Sequence, residues 1–176
     1  MRIISGEHRG KIIHAPEDLP VRPTTDFAKT GLFNILSNQF NFHTISALDL
    51  FAGTGNISYE FISRGCRKLV AVDNNTRCVS FIRKTFDSLK AASARVEKKD
   101  AGPFLSNTEQ TYDIIFADPP YDIETIADLH KIIYARNLLN RNGLFVFEHE
   151  SSKDYSALRH FREKRKYGHV MFTFFQ

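Results

Sequence analysis

From residue 45 onward the chain alternates short apolar runs with stretches whose apolar residues recur every three or four positions. Ile45–Leu50, Leu69–Val72, Tyr112–Ala117 and Leu144–Glu148 are runs of the length and composition of buried strands, and Arg95–Lys99 is a less apolar fifth. Between them lie Ile57–Ser63, Thr76–Leu89 and Ile123–Leu139, each with a helical period. Val79, Ile82, Phe86 and Leu89 share one face of the second. Gly65 stops the first of these helices and Asn142-Gly143 closes the last. Strand following helix at this rhythm predicts a parallel sheet with helices on both faces. The last residues break the rhythm. Phe161–Lys166 and Val170–Phe175 flank Tyr167-Gly168 and predict an antiparallel hairpin. Ahead of residue 45, Ile3-Ile4 and Lys11–His14 flank Ser5–Gly10 and predict a smaller hairpin. Pro16, Pro20 and Pro23 mark an extended connection. Thr24 or Thr25 then caps a helix with Ala28, Leu32, Ile35 and Leu36 inward, and Asn38–Thr44 reads as a loop. The expected organisation is one domain, with residues 1–44 as an extension and 45–176 as the core.

Composition narrows the class. With 176 residues, 42% of them hydrophobic, the chain buries a sizeable core and is not disordered. No apolar run approaches the ~20 residues of a membrane span, and the first residues lack a signal peptide's apolar region. Cys66 and Cys78 have no metal-ligand spacing and read as small buried residues, which fits a reducing, cytoplasmic setting. The seven histidines do not cluster, although His149, between Glu148 and Glu150, is placed to line a cleft. Net charge is +4, unevenly spread. Residues 61–100 carry ten Lys and Arg against four acids, residues 151–176 six against two, and residues 101–150 three against eight. Basic surface segregated from an acidic stretch fits a polyanionic partner.

Chemistry gathers at the strand ends, where ligands of such sheets bind. Asp49, Asp73, Asp100 and Asp118 each stand at or near one, spaced by 24, 27 and 18 residues, about one strand and one helix each. The turn after the first strand reads Gly53-Thr54-Gly55-Asn56-Ile57-Ser58. Ser58 occupies the place of a dinucleotide fold's third glycine, and no lysine stands in P-loop register, so a pyrophosphate ligand is disfavoured. S-adenosylmethionine fits better. Gly53 and Gly55 let backbone approach a ligand closely. Asp49 accepts from its amine, Asp73 from both ribose hydroxyls and Asp100 from the adenine amino group, while the Ala101 N–H donates to the ring.

The second motif is Asp118-Pro119-Pro120-Tyr121, delivered by the apolar run Ile114–Ala117. It resembles the catalytic motif of methyltransferases acting on an exocyclic base amine. Such an amine is a poor nucleophile because its lone pair is conjugated with the ring. Two acceptors, the Asp118 carboxylate and the Pro119 carbonyl, hold its protons and aim the lone pair. Tyr121 stacks on the extruded base. Stacking of this kind contributes ~1–3 kcal/mol, and extrusion costs a few kcal/mol. No metal is needed.

The segments MRIISGEHRGK (1–11), VRPTTD (21–26), LFNIL (32–36), LDLFAGTGNIS (48–58), SRG (63–65), VAVDNN (70–75) and FADPPY (116–121) occur in one order. Together they resemble the bacterial RsmD-like family, which methylates N2 of one guanine in small-subunit (16S) ribosomal RNA. The resemblance covers nearly the whole chain and extends, less closely, to YGHVMFTFF (167–175). It implies a class I S-adenosylmethionine-dependent methyltransferase, α/β and Rossmann-like, with the C-terminal antiparallel hairpin and the N-terminal extension. It implies Asp118, Pro119, Pro120 and Tyr121 as target-base residues. Asp49, Phe51, Ala52, Gly53, Gly55, Asn56, Asp73, Asn74, Asp100 and Ala101 become cofactor contacts. Arg9, Lys11, Arg22, Thr24 and Lys29 become RNA contacts. Phe27 and Thr30 depart from the family, which places a basic and an acidic residue there. The implied partner is small-subunit rRNA or the small subunit itself, bound by a monomer, with S-adenosylhomocysteine as second product. The alternatives are an N6-adenine methyltransferase on DNA or RNA and an RNA-binding assembly factor. A nicotinamide-dependent oxidoreductase is disfavoured by Ser58 and the terminal hairpin.

Overall fold

The structure, a computed structural model, describes residues 1–16, 19, 24–120 and 123–176, with residues 123–125 described by backbone alone. Arg22 and Tyr121 among the expected site residues, and Pro20 and Pro23 of the expected extended connection, lie outside the described residues.

Thirteen elements follow one another: α1 (Asp26–Gln39), a 3-10 turn (Phe42–Thr44), β1 (Ser46–Leu50), α2 (Asn56–Ser63), β2 (Lys68–Asp73), α3 (Thr76–Ser88), β3 (Ala94–Lys98), α4 (Ala101–Asn107), β4 (Tyr112–Ala117), α5 (Ile123–Ala135), β5 (Leu139–Glu150), β6 (Phe161–Tyr167) and β7 (Val170–Phe175). The strands form one sheet in the order β3-β2-β1-β4-β5-β7-β6. The first five are parallel, and β7 inserts antiparallel between β5 and β6. Strand order therefore reverses between β1 and β4, and a crevice opens beyond their carboxyl ends.

Two apolar layers sandwich the sheet. Leu32 and Phe33 of α1, Phe61 of α2 and Ile82 and Phe86 of α3 pack on one face with Ile114, Phe116, Val146 and Phe172. Phe104 and Leu105 of α4 and Leu129 and Ile133 of α5 pack on the other with Ile115, Phe145, Phe147 and Phe175. Central strands buried on both faces read as continuous apolar runs, which is why they were legible. The edge strand β6 instead carries exposed Arg162, Lys164, Arg165 and Lys166, charges that discourage further strand pairing.

The extension is an antiparallel bridge between Arg2 and Ile12, followed by α1 with Thr25 as its N-cap. A buried polar node ties it to the core. Lys29, 1% exposed, donates to the Arg2 carbonyl (2.5 Å) and to Asn56 Oδ1 (2.8 Å), and lies 3.8 Å from the fully buried Glu60. Glu60 accepts from the backbone of Ile4 and Ser5 and pairs with Arg64 at 3.0 Å.

Three expectations differ from the structure. The last helix ends at Ala135 rather than Leu139, because Asn137 turns left-handed (φ 52°) and Leu138 N–H returns to Ile133. Asn142-Gly143 closes no helix. It lies in an irregular stretch of β5 between the Tyr112–Leu139 and Ile114–Leu144 pairs, with Asn142 left-handed (φ 63°) and Gly143 against the carbonyls of Tyr112 and Asp113. An Asn-Gly pair supplies a left-handed residue equally well to a helix cap or a bulge. The short helix α4 was not expected. It admits Pro103 because its first turn needs no intrahelical N–H donor there.

Candidate active site

The turn after β1 has a mixed backbone. Phe51, Gly53 and Gly55 all have positive φ (58°, 56° and 78°), and Phe51 carries that strain as a non-glycine residue. At Gly55 a Cβ would meet the Tyr59 ring at 2.6 Å. Its positive φ favours glycine as well. Ala52 N–H bonds the Val72 carbonyl, so the turn is fastened to β2.

Asp73, at the end of β2, accepts from Gly53 N–H on Oδ2 and Asn75 N–H on Oδ1, both at 2.8 Å. Each oxygen keeps a further lone pair. Asp49, 1% exposed, accepts from Ser58 Oγ at 2.5 Å, so the serine that replaces the third glycine holds the first strand's acid. Asn74 donates to Asp100 Oδ1 at 2.9 Å, joining the ends of β2 and β3. Asp100 is exposed and Ala101 buried at the start of α4.

Asn56 opens α2, but its side chain is committed inward. It donates to the Thr24 carbonyl at 2.7 Å and accepts from Lys29. Through Thr24 it reaches the second half of the site. Thr24 Oγ1 donates to Glu148 Oε2 at 2.8 Å. Ala117 of β4 is paired with Phe147 of β5, which makes Asp118 and Glu148 lateral neighbours just beyond that pair. They line a cavity of about 450 Å³ with Thr24, Thr25, His149 and His169. Pro119 is buried behind Asp118 and Pro120 is exposed.

Three carboxyls crowd this edge. Burial pushes Asp118 up to about 7. It pushes Asp49 to about 7 as well, against the Ser58 hydrogen bond and with help from the charges of Asp118 and Asp73. Burial, followed by the charge of Asp118, holds Glu148 well above the ordinary carboxyl range. The free site therefore retains protons near neutrality.

His149 lines the cavity, and its ring is fully engaged. Nδ1 donates to the Glu150 carbonyl and Nε2 accepts from the Thr173 hydroxyl, both at 2.8 Å. Burial lowers its pKa and it stacks on Phe147, so it is a neutral wall. His130 and His160 do meet, at 6.3 Å between rings around Tyr134, although no clustering was expected.

The expected RNA contacts fare unequally. Thr24 is at the cavity. Lys29 is not available to RNA in this arrangement, because its ammonium is consumed by Arg2, Asn56 and Glu60; burial lowers its pKa. Arg9 and Lys11 are exposed, but their hairpin docks its tip on Ser63, the end of α2 remote from the Gly-rich turn. Phe27 is 68% exposed and packs edge-on against Tyr167 at 5.6 Å. Thr30 bonds the Asp26 carbonyl. Glu148 was the residue missed as a site member. It stands at a strand end like the four acids that were singled out. Among the described residues no group of His, Cys, Asp and Glu is arranged to hold a metal, and no helix is long and apolar enough to cross a membrane.

All 176 residues match the model of the family described as Conserved hypothetical protein 95. The chain is also 33% identical over 148 residues to ribosomal RNA small subunit methyltransferase D of Escherichia coli K12, covering 84% of this chain and 71% of that one. The chain belongs to the RsmD family. Among solved structures, a hypothetical protein of Thermus thermophilus superposes with a TM-score of 0.85 at 26% identity, over 100% of this chain and 99% of that one. The T. thermophilus 16S rRNA N2 G1207 methyltransferase RsmC, solved with AdoMet and guanosine, gives 0.71 at 20% identity over 87% of this chain and 43% of that one, a likeness of fold. The RsmD-family sheet, with its terminal antiparallel strands, is that of a class I methyltransferase.

Proposed function

We propose that this RsmD-family protein transfers a methyl group from S-adenosylmethionine to N2 of a guanine in small-subunit rRNA, in the cytoplasm and on an assembled or assembling subunit. The observation that carries the reading is Asp118-Pro119 at the end of β4, beside an acidic cavity and next to the Gly-rich turn. Its relative in E. coli bears the name of a small-subunit rRNA methyltransferase, and RsmC was solved with AdoMet and guanosine.

The residues fit the cofactor. Asp73 has a lone pair left on each oxygen for the two ribose hydroxyls, and Asp49 and the turn offer buried carboxylate and backbone to an ammonium and a sulfonium. Asp100 and Ala101 serve the adenine. When bound, S-adenosylmethionine supplies an electrophilic methyl group. Asp118 Oδ accepts one N2–H of guanine and the Pro119 carbonyl accepts the other, which turns the N2 lone pair out of conjugation. Once N2 carries the methyl group, Asp118 would take its surplus proton and pass it to solvent. Most of the rate gain is positional. Exposed cations on β6 and α3 serve the phosphate backbone.

The test is methyl transfer from labelled S-adenosylmethionine to small subunits and to naked rRNA from cells lacking the activity, with the product nucleoside identified by mass spectrometry. N2-methylguanosine at one site is expected, with subunits preferred over naked RNA. Methyladenosine would replace this reading with the adenine one, and no cofactor binding would sink it.

A further inference from the structure

We infer that Glu148 is the residue that makes the site select guanine, by accepting the N1–H of the target base beside Asp118. The inference rests on the guanine-N2 reading above.

Glu148 is 6% exposed, yet it lines the cavity. Its Oε2 is fixed by the Thr24 hydroxyl at 2.8 Å, and its Oε1 accepts no hydrogen bond from the described residues. A largely buried carboxyl that borders a cavity gains from a donor that enters it. The β4–β5 pairing sets this carboxyl beside Asp118, the acceptor for the exocyclic amine. On the Watson–Crick edge of guanine, N1–H is the immediate neighbour of N2–H₂, and both are donors. Two adjacent acceptors therefore match two adjacent donors. Adenine offers one exocyclic amine next to N1, which carries a lone pair and no hydrogen. With the positive charge of the bound cofactor holding Glu148 ionised, that lone pair would face a carboxylate and leave it unpaired, the kind of mismatch that gives large discrimination. The charge crowding of the free site opposes ionisation of Glu148. The N–H donors of guanine and the positive charge of the cofactor favour it, so the correct substrate itself completes the acceptor pair.

2-Aminopurine tests this directly, because it keeps the 2-amino group and lacks the N1 hydrogen. Small subunits would be reassembled with rRNA ligated from an oligonucleotide carrying guanine or 2-aminopurine at the target. Relative kcat/KM for methyl transfer would be read for the wild type, Glu148→Gln and Thr24→Val. The wild type is expected to prefer guanine by about 100-fold or more. Glu148→Gln presents an amide that donates to an unprotonated N1, so the preference narrows at least about tenfold, while cofactor affinity stays unchanged. Thr24→Val narrows it less, in the same direction. Equal wild-type rates on the two bases, or an unaltered preference in both variants, overturns the role of Glu148. N2-methylguanosine as wild-type product alongside that result leaves the guanine-N2 reading intact; methyladenosine as product removes both.

Discussion

The two halves of the site are built differently. At the ends of β1 and β2 nearly every polar group is already engaged: Asp73 holds two backbone N–H groups, Ser58 holds Asp49, and the turn is pinned to Val72. At the ends of β4 and β5 the carboxyls of Asp118 and Glu148 face an open cavity, with one hydroxyl, that of Thr24, between them and α1. The first half is preorganised for a ligand that returns at every turnover. The second holds unmet acceptors, which is what a site needs if its selectivity comes from donors on the substrate.

The sharpest way to separate the halves is Asp118→Asn. Methyl transfer is expected to fall by about 10³-fold, with cofactor affinity within a factor of about three, whereas Asp73→Ala abolishes cofactor binding itself. Calorimetric titration beside single-turnover rates reads both. An Asp118 variant that bound cofactor poorly would merge the two halves into one. Next in size is the girder beneath them. Lys29→Ala leaves Glu60 short of one cation and unpins Asn56, and the protein is expected to lose about 3 kcal/mol in urea unfolding. An exposed, RNA-facing lysine would show almost none.

Smaller is the effect of pH on the open half. The folded Asp118 carboxyl titrates at about 7 against an ordinary value of 3.8. A raised carboxyl value means the folded protein holds a proton that the unfolded chain has released. Its stabilising contribution is complete below about pH 4 and is lost as pH rises toward 7. Asp118→Asn should therefore be more stable than wild type by about 1–2 kcal/mol at pH 8 and indistinguishable at pH 4. The same group sets the smallest effect. Wild-type kcat/KM is expected to fall about tenfold for each unit of pH below about 7, the region in which Asp118 gains its proton. A flat profile there would remove Asp118 as the acceptor.

What was readable in the sequence follows the same division. The first half is local: an apolar strand, a Gly-rich turn and an acid at each strand end are all encoded within a dozen residues, and β1, α2, β2 and α3 lie where their periodicity put them. The second half depends on partners far apart in the chain. Glu148 meets Thr24 across 124 residues, and its place beside Asp118 is set by strand pairing, so its strand-end position alone does not show which partners it has. Lys29 read as an RNA contact through the resemblance, because helical spacing alone does not reveal Glu60 and Asn56 beneath it. Helix α4 was too short for its period to show, and the twelve-residue β5 borrowed its first residues from what read as the end of a helix.

The crowded carboxyls also make the resting enzyme a small proton store. Burial raises the hold of both Asp49 and Asp118 on their protons. A cation arriving among them expels part of that store into the solvent. The heat of S-adenosylmethionine binding at pH 7 will accordingly differ between phosphate and Tris, in proportion to the ionisation enthalpy of the buffer, and the slope of that dependence counts the protons released.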